Sequence, residues 1–191
     1  MYCSVCGQQM TIAIPAGDHC PRPLCSHCGH IHYENPKILV ACIATVGDKV
    51  LWIKRNTEPK RGYWAIPSGF LELGESPEEA ASRELFEETR AQIPPSALRL
   101  FLVGSIPAIN EIYLVYYGEL PEAVFEVTPE ASVVALYNSA QAPWQAYAYP
   151  EVAEAMQQFY ADHDAGRYGV YSGHFESGVN TLTPILPSRK P

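Results

Sequence analysis

The sequence is short of positive charge. Of its 191 residues, 13 are lysine or arginine and 21 are aspartate or glutamate, which gives a net charge of −8. A protein that holds nucleic acid by its phosphates usually carries a basic surface, so we expect no nucleic-acid partner. An acidic chain can still bind a phosphate compound where divalent metal ions supply the positive charge. The charge deficit therefore argues against one class of partner and leaves phosphate chemistry open.

Long apolar runs are also missing. No stretch reaches the roughly 18 apolar residues of a membrane span, so we expect no membrane association. The first ten residues, MYCSVCGQQM, lack the charged segment and apolar core of a secretory signal, and we therefore expect a cytoplasmic protein. No internal repeat is visible. The length suits one main domain with a small appendage, and this is enough chain to bury a core without disulfide bonds.

Cysteine is scarce, with six in the chain, but four of them follow a pattern. Cys3 and Cys6 form one CxxC pair, Cys25 and Cys28 form a second, and 18 residues lie between the pairs. In a reducing compartment this spacing predicts a four-thiolate Zn²⁺ site, because each CxxC turn brings two sulfurs to one side of a tetrahedron. Two disulfides or redox-active thiols are the alternative. Closed four-cysteine sites hold a fold together, so we predict a structural zinc ion.

Turn residues divide the chain into three parts. Residues 1–33 form the cysteine segment, and the YENPK stretch at its end predicts a hinge. Residues 36–165 form the main domain. The tail, residues 166–191, is rich in Gly, Ser and Pro and shows no clear period, so we expect it to be irregular or partly disordered.

Hydrophobic periodicity predicts strands and helices within the main domain, which indicates an α/β or α+β fold. The predicted strands are KILVACIATV (37–46), DKVLWIKR (48–55), RLFLVGSI (99–106), EIYLVYYGEL (111–120) and SVVALY (132–137). A closing helix is predicted over residues 150–164. The stretch AIPSGFLELGE (65–75) predicts no regular structure, because proline and glycine interrupt it.

A second helix begins with clear signals. Ser76 is its predicted N-cap, Pro77 its first residue and Glu79 the partner in a capping box, while Pro94 and Pro95 predict its end.

Three glutamates, Glu84, Glu87 and Glu88, are spaced i, i+3 and i+4 on this helix, so their carboxylates point to one side. Such a cluster suits Mg²⁺ or Mn²⁺, and the alternative is a charged, solvated helix face.

The spacing around the glutamates favours the metal site. The stretch from Gly69 to Glu88 resembles the Nudix box, GX5EX7REUXEEXGU. Five residues separate Gly69 from Glu75, and seven more precede the triplet Arg83-Glu84-Leu85. One further residue then leads to the pair Glu87-Glu88. One position departs from it, since Arg90 stands where the box has its last glycine. A left-handed residue is favoured there, so we expect arginine to cost about 1 kcal/mol or to change the helix exit. The carboxylates are unaffected.

The resemblance extends to a branch of the Nudix family that carries an N-terminal four-cysteine zinc ribbon. The segment "NPK…VLWIKRN…YWAIPSGFLELGES" looks closest to the FAD/ADP-ribose pyrophosphatases of that branch, which are related to NADH pyrophosphatases. The resemblance implies an α/β/α sandwich around a mixed sheet, with a small zinc ribbon, and a homodimer. It also implies Mg²⁺- or Mn²⁺-dependent hydrolysis of the pyrophosphate bond of a nucleoside diphosphate derivative, FAD or ADP-ribose, with release of AMP.

The resemblance also assigns roles to the box residues. Glu84 and Glu88 would be direct metal ligands, with the Ser68 carbonyl oxygen as a third. Glu87 would be a ligand or would orient the attacking water. Glu75 would hold the loop, and Arg83 would be structural.

Residues outside the box carry predictions with open alternatives. Glu130 is the candidate general base, or a solvated loop residue. Arg55 and Arg61 are candidate phosphate contacts, or part of a solvated basic loop. Pro107 resembles a proline of the ADP-ribose pyrophosphatase signature, or ends a strand. Candidates for stacking on a base or flavin, with the hydrophobic core as the alternative, are Trp52, Tyr63 and Trp64.

Three other functions remain as alternatives. NADH hydrolysis is disfavoured because VGSIPAINEIYLV lacks the SQPWPFPxS array of NADH pyrophosphatases. A non-catalytic nucleotide sensor is disfavoured because no box glutamate is lost. Binding of an RNA end by the ribbon is disfavoured because Arg22 is its one basic residue before Tyr33.

Overall fold

Two compact units, Met1–Pro36 and Lys37–Pro191, make up the computed structural model, which describes residues 1–176 and 179–189. The first unit, the ribbon unit, contains two short antiparallel strands, β1 (Thr11–Ala13) and β2 (Arg22–Leu24). Its small core consists of buried Cys3, Met10 and Cys25. So few apolar side chains cannot hold a fold by themselves, which agrees with a unit built around its cysteines.

The second unit is built on a mixed sheet. Its described strands are β3 (Lys37–Val46), β4 (Lys49–Arg55), β5 (Trp64–Ala65), β6 (Ser68–Phe70), β7 (Arg99–Ile106), β8 (Glu111–Glu119), β9 (Ala131–Tyr137), β10 (Tyr168–Glu176) and β11 (Val179–Arg189). They lie in the order β11-β10-β7-β8-β3-β4-β5, with β6 paired to β3 and β9 paired to β4. β3 runs parallel to β8 and β7 parallel to β10, while the other pairs are antiparallel.

Two helices cover opposite faces of the sheet. Alternate residues of a strand point to opposite faces, and β3 separates its buried residues in this way. Val40 and Cys42 share a cluster with Leu85 of α1 (Pro77–Thr89), whereas Ala41 shares one with Phe159 of α2 (Ala153–Asp164). The result is the α/β/α sandwich around a mixed sheet that the resemblance implied, and the predicted fold class is confirmed.

The start of α1 is as predicted and its end is not. The Ser76 hydroxyl accepts a hydrogen bond from the Glu79 N–H at 3.3 Å, and a Glu79 carboxylate oxygen accepts one from the Ser76 N–H at 2.7 Å. The helix ends at Thr89, five residues before the first of the two prolines, because Arg90 takes a left-handed conformation. The predicted stop at Pro94 was therefore wrong.

Two segments that were expected to be irregular contain strands. Within AIPSGFLELGE, β6 forms because Leu39, Val40 and Ala41 of β3 provide a pairing partner about 30 residues away along the chain.

In the tail, buried and exposed residues alternate along β10 from Gly169 onward, but two of the buried positions are glycines, Gly169 and Gly173. Because glycine has no apolar side chain, these two positions hide the alternation of apolar and polar residues in the sequence. Residues 177–178 and 190–191 lie outside the described residues.

The described part of the chain offers no helix that is both long and apolar enough to cross a membrane.

Candidate active site and zinc site

The three glutamates of α1 differ in their surroundings. Glu84 and Glu88 are buried, with 9% and 4% of their surface exposed, whereas the Glu87 side chain is 49% exposed. The helix therefore aims two carboxylates into the protein and leaves the third at its solvent edge. Helical spacing predicted a shared side, but it did not predict this difference.

Glu88 is held against strand β6. One of its carboxylate oxygens accepts a hydrogen bond from the Ser68 N–H at 2.8 Å. The neighbouring ladder bonds to β3 are Cys42 N–H to the Pro67 carbonyl and Leu71 N–H to the Ile38 carbonyl. Ser68, opposite Ala41, lies between these positions, so its N–H and carbonyl face away from β3. The Ser68 carbonyl therefore takes no part in the pairing with β3 and lies on the same side of the strand as Glu88.

Gly69 allows Glu84 to approach the same strand. A Cβ atom at Gly69 would overlap the Glu84 carboxylate group. The first glycine of the motif thus has a steric reason, since any side chain there would displace Glu84. Strand β6 and helix α1 meet at this point.

Arg83 ties the helix to the loop before it. Its Nε and Nη2 donate to the Glu75 carboxylate at 3.0 and 2.7 Å, and Nη2 also donates to the Phe70 carbonyl at 3.1 Å. Its Nη1 donates to Glu84 at 2.6 Å and to Glu87 at 3.1 Å. These contacts agree with a positioning role, because one guanidinium orients the loop and two of the clustered glutamates.

Burial disfavours the ionised form of both carboxyl groups. Burial raises the pKa of Glu88 to about 8, the Ser68 N–H opposes that rise, and Glu84 adds to it. Burial also raises the pKa of Glu84, although Arg83 works in the opposite direction. Burial of two neighbouring carboxylates is costly unless a cation compensates them. The donor set, two buried carboxylates beside a carbonyl that faces away from β3, fits a hard divalent cation such as Mg²⁺ or Mn²⁺.

The loop before β9 brings Glu130 to this site. The Thr128 hydroxyl donates to the Glu88 carbonyl at 3.1 Å, and the Asn56 N–H donates to the Glu130 carbonyl at 2.8 Å. The Glu130 carboxylate contributes to the raised pKa of both Glu84 and Glu88. It is exposed and therefore open to solvent water.

Of the two candidate arginines, Arg55 lies at the site. Its charge lowers the pKa of Glu88, in opposition to burial, and its guanidinium carbon is 6.0 Å from the centre of the Tyr149 ring. Arg61 is exposed, and so is Pro107, which begins a short 3-10 helix, Pro107–Ile109. Within the described residues, no hydrogen bond or ion pair links Arg61 to the glutamates. The structure therefore brings together Arg55, Glu130 and the box, and gives no such contact for Arg61 or Pro107.

An apolar cavity beside Ser68 is the feature that sequence reasoning missed. Its lining includes Ser68, Tyr113, Tyr147 and Tyr149. The two later tyrosines belong to APWQAYAYP, a stretch whose aromatic content was the one available signal. Trp52, a stacking candidate, is instead fully buried, and its ring N–H donates to the Tyr160 hydroxyl at 2.9 Å.

The four cysteines of the ribbon unit converge as predicted. Their sulfur atoms all lie within 4.8 Å of one another, with Cys3 to Cys28 at 3.6 Å and Cys6 to Cys25 at 3.5 Å. Sulfurs bound to one Zn²⁺ ion at about 2.3 Å in a tetrahedron are about 3.8 Å apart, so the four thiols fit zinc. Disulfide bonds are much shorter, at about 2.05 Å, so the observed distances are too long for them.

Comparison with known proteins agrees with both units. The NUDIX domain family matches residues 36–162, and the family described as Nudix N-terminal, a zinc ribbon, matches residues 1–34. The chain belongs to the Nudix family. A solved Nudix hydrolase from Nitrosomonas europaea superposes with a TM-score of 0.83 at 32% identity, over 92% of this chain and 98% of that one.

Curated Nudix relatives match over a shorter region. An ADP-ribose pyrophosphatase from Methanocaldococcus jannaschii is 46% identical over 84 residues, 44% of this chain and 41% of that protein. A NAD-capped RNA hydrolase, NudC, from Edwardsiella ictaluri is 34% identical over 93 residues, 48% of this chain and 34% of that protein. The chain thus spans well under half the length of these relatives. Their names, like that of the solved structure, support the prediction of an enzyme.

Arg90, which stands where the Nudix box has its last glycine, adopts the left-handed backbone conformation that a glycine would favour. Arg90 has φ 61° and ψ 0°, and its N–H donates to the Phe86 carbonyl at 2.8 Å. Its guanidinium lies 5.1 Å from the centre of the Phe86 ring, an attraction that offsets part of the conformational cost. The helix exit is therefore the left-handed one expected of a glycine, and the cost of about 1 kcal/mol for arginine stays a prediction.

Proposed function

We propose that this chain hydrolyses the pyrophosphate bond of a nucleoside diphosphate derivative, FAD or ADP-ribose, with Mg²⁺ or Mn²⁺, and releases AMP. The observation that carries the proposal is the buried pair Glu84 and Glu88 beside Ser68. Two carboxyl groups with raised pKa values are unfavourable in an apolar setting by themselves. A divalent cation would compensate their charges and hold a pyrophosphate at the same place.

The residues of the site take distinct roles. Glu84, Glu88 and the Ser68 carbonyl would hold the metal, and Glu87, at the solvent edge, would be a further ligand or would orient the attacking water. When bound, the metal would supply charge to the phosphoryl oxygens and lower the pKa of a water molecule. Glu130 would accept the proton of that water, since its charge acts on both buried glutamates and it is open to solvent. Arg83 would keep Glu84 in place.

Aromatic and basic groups at the site support a nucleotide substrate. Arg55 places a positive charge near both Glu88 and the Tyr149 ring, where a phosphate group and a flat ring could both be held. Tyr149, which is half-buried and lines the cavity beside Ser68, offers an aromatic ring on which an adenine or flavin group could stack. The ADP-ribose pyrophosphatase among the relatives favours the same class of substrate. NADH, a dinucleotide of the same kind as the NAD cap in the NudC relative's name, is the second candidate.

Turnover of FAD, ADP-ribose and NADH, measured side by side with Mg²⁺ and with Mn²⁺, tests the proposal. We expect AMP release from FAD or ADP-ribose, and a loss on the order of 10³-fold in Glu88→Gln, because several kcal/mol of transition-state stabilisation disappear. Glu154→Gln is the matched control, since Glu154 is an exposed glutamate on α2, and it should keep the activity of the original chain.

Two results would overturn the proposal in different ways. Turnover of NADH alone would replace the substrate and retain the chemistry. Tight binding of ADP-ribose without turnover under either metal would identify a nucleotide sensor. The homodimer and the cytoplasmic location remain predictions.

A further inference from the structure

A second group of metal-binding side chains lies in the ribbon unit, in the loop between β1 and β2. Asp18, His19 and Cys20 offer a carboxylate oxygen, an imidazole nitrogen and a thiol sulfur, all within 4.8 Å of one another. The Asp18 carboxylate Oδ1 lies 3.5 Å from the His19 ring Nδ1. None of the three belongs to the four-cysteine set. We propose that they bind a second transition-metal ion of the Zn²⁺ class, separate from the structural zinc.

Asp18 is already oriented for this role. Its Oδ1 accepts hydrogen bonds from the His19 N–H at 2.7 Å and the Cys20 N–H at 3.1 Å, and its Oδ2 pairs with Arg22 Nε at 3.2 Å. Carboxylates that bind metals are commonly held by such outer contacts, which fix their direction. These three contacts fix the direction of the Asp18 carboxylate within the loop.

The other two ligands can complete the site from the same loop. His19 has a side chain that is 91% exposed, so it can turn toward a metal without displacing any packed group. Cys20 is half-buried and has a free thiol, which a metal would deprotonate on binding. A set of one oxygen, one nitrogen and one sulfur donor favours Zn²⁺, Co²⁺ or Ni²⁺ over Mg²⁺ or Ca²⁺, because the latter two prefer oxygen ligands.

The two sites of the ribbon unit would differ in chemistry. Four thiolates saturate a tetrahedral ion and close it to solvent, whereas three mixed ligands leave one position for water or another exchangeable group. We therefore expect the ion at Asp18, His19 and Cys20 to exchange more readily than the structural zinc. This difference allows the second site to be emptied and refilled while the ribbon stays folded.

Alkylation of Cys20 reports the site directly. The full chain, with its structural zinc in place and Mg²⁺ in excess to occupy the glutamates, is treated with iodoacetamide with and without added Zn²⁺. Peptide mass spectrometry then gives the rate at Cys20. We expect added Zn²⁺ to slow the reaction about tenfold, because a metal-bound sulfur is a poor nucleophile. His19→Ala should abolish this protection, and the matched control His32→Ala, another histidine of the ribbon unit, should keep it.

Metal content gives a second readout. In equilibrium dialysis against Zn²⁺ with Mg²⁺ in excess, we expect two zinc ions per chain in the original protein and in His32→Ala, and one in His19→Ala and Cys20→Ser. One zinc ion in every variant, with Cys20 alkylated at the same rate throughout, would overturn the proposal. Equal loss of protection in His19→Ala and His32→Ala would also overturn it, because the ion would then be held by scattered histidines.

Discussion

Glu88 is the residue whose burial has the largest consequence for the site. Its carboxyl group is 4% exposed, its direct hydrogen-bond donor is the Ser68 N–H, and its pKa is raised to about 8 by burial. At neutral pH without a divalent cation, folding therefore favours the protonated, neutral form of this group. A metal ion reverses that preference, so occupancy of the site and stability of the fold are coupled.

This coupling predicts how stability depends on pH when Mg²⁺ and Mn²⁺ are withheld. The folded-state pKa of Glu88, about 8, lies above its unfolded value of about 4.3, so the folded protein binds the extra proton between these values. The stabilisation is fully present below about pH 4 and is lost as pH rises through about 8. We expect this group to contribute a fall of about 2–4 kcal/mol in the free energy of unfolding between pH 5 and pH 9.

Urea denaturation at pH 5 and pH 9 measures this contribution. Glu88→Gln should lack it, so that the variant becomes the more stable protein at pH 9, and Mg²⁺ should restore stability to the original chain there. The same pH slope in both proteins would show that Glu88 is not the group responsible.

At the scale of elements, the site depends on how closely β6 approaches α1. Gly69 leaves no room for a Cβ atom because the Glu84 carboxylate occupies that space. Gly74, in the loop between the two elements, is a glycine for another reason: its φ is 92°, and open space surrounds the position of a Cβ atom. Gly69 is therefore required by close packing, and Gly74 by its backbone conformation.

Replacement of each glycine by alanine separates these two roles. Gly69→Ala should displace Glu84 and lower turnover on the order of 10²-fold, because small misplacements of catalytic groups have effects of that size. Gly74→Ala should cost about 1 kcal/mol of stability and leave turnover within about twofold. Turnover under saturating metal and thermal unfolding measure the two effects. Equal losses of activity would contradict the steric reason given for Gly69.

At the scale of the whole molecule, the two units have separate means of stability. The ribbon unit buries only Cys3, Met10 and Cys25 as a core, whereas the Nudix unit has large clusters on both faces of its sheet. A few buried side chains cannot offset the loss of chain entropy, so the metal must supply the remaining stability of the first unit.

Removal of zinc with a strong chelator should therefore affect the units unequally. We expect rapid proteolysis within residues 1–36 and survival of a fragment that begins near Lys37 and resists the protease, because that fragment retains its own core. Mass spectrometry of a digestion time course gives both products. Cleavage throughout the chain at one rate would show that the Nudix unit requires the zinc ion as well.

Local sequence patterns determined a large part of this protein. Strands Lys37–Val46 and Arg99–Ile106 begin and end where their apolar stretches predict, and the Ser76 capping box starts α1 at Pro77. The spacing of Cys3, Cys6, Cys25 and Cys28 predicted a four-thiol cluster. These features depend on interactions within a few residues or on a motif whose spacing is fixed, and both are legible in a linear chain.

Tertiary structure alone decided which of these groups meet. It buried Glu84 and Glu88 and left Glu87 exposed, set the Ser68 carbonyl beside them, and brought Glu130 to the end of α1. It also paired β10 with β7, although glycines hide the alternation of β10. These contacts join segments tens of residues apart. They depend on the packing of helices on a complete sheet, which the periodicity of any one segment does not contain.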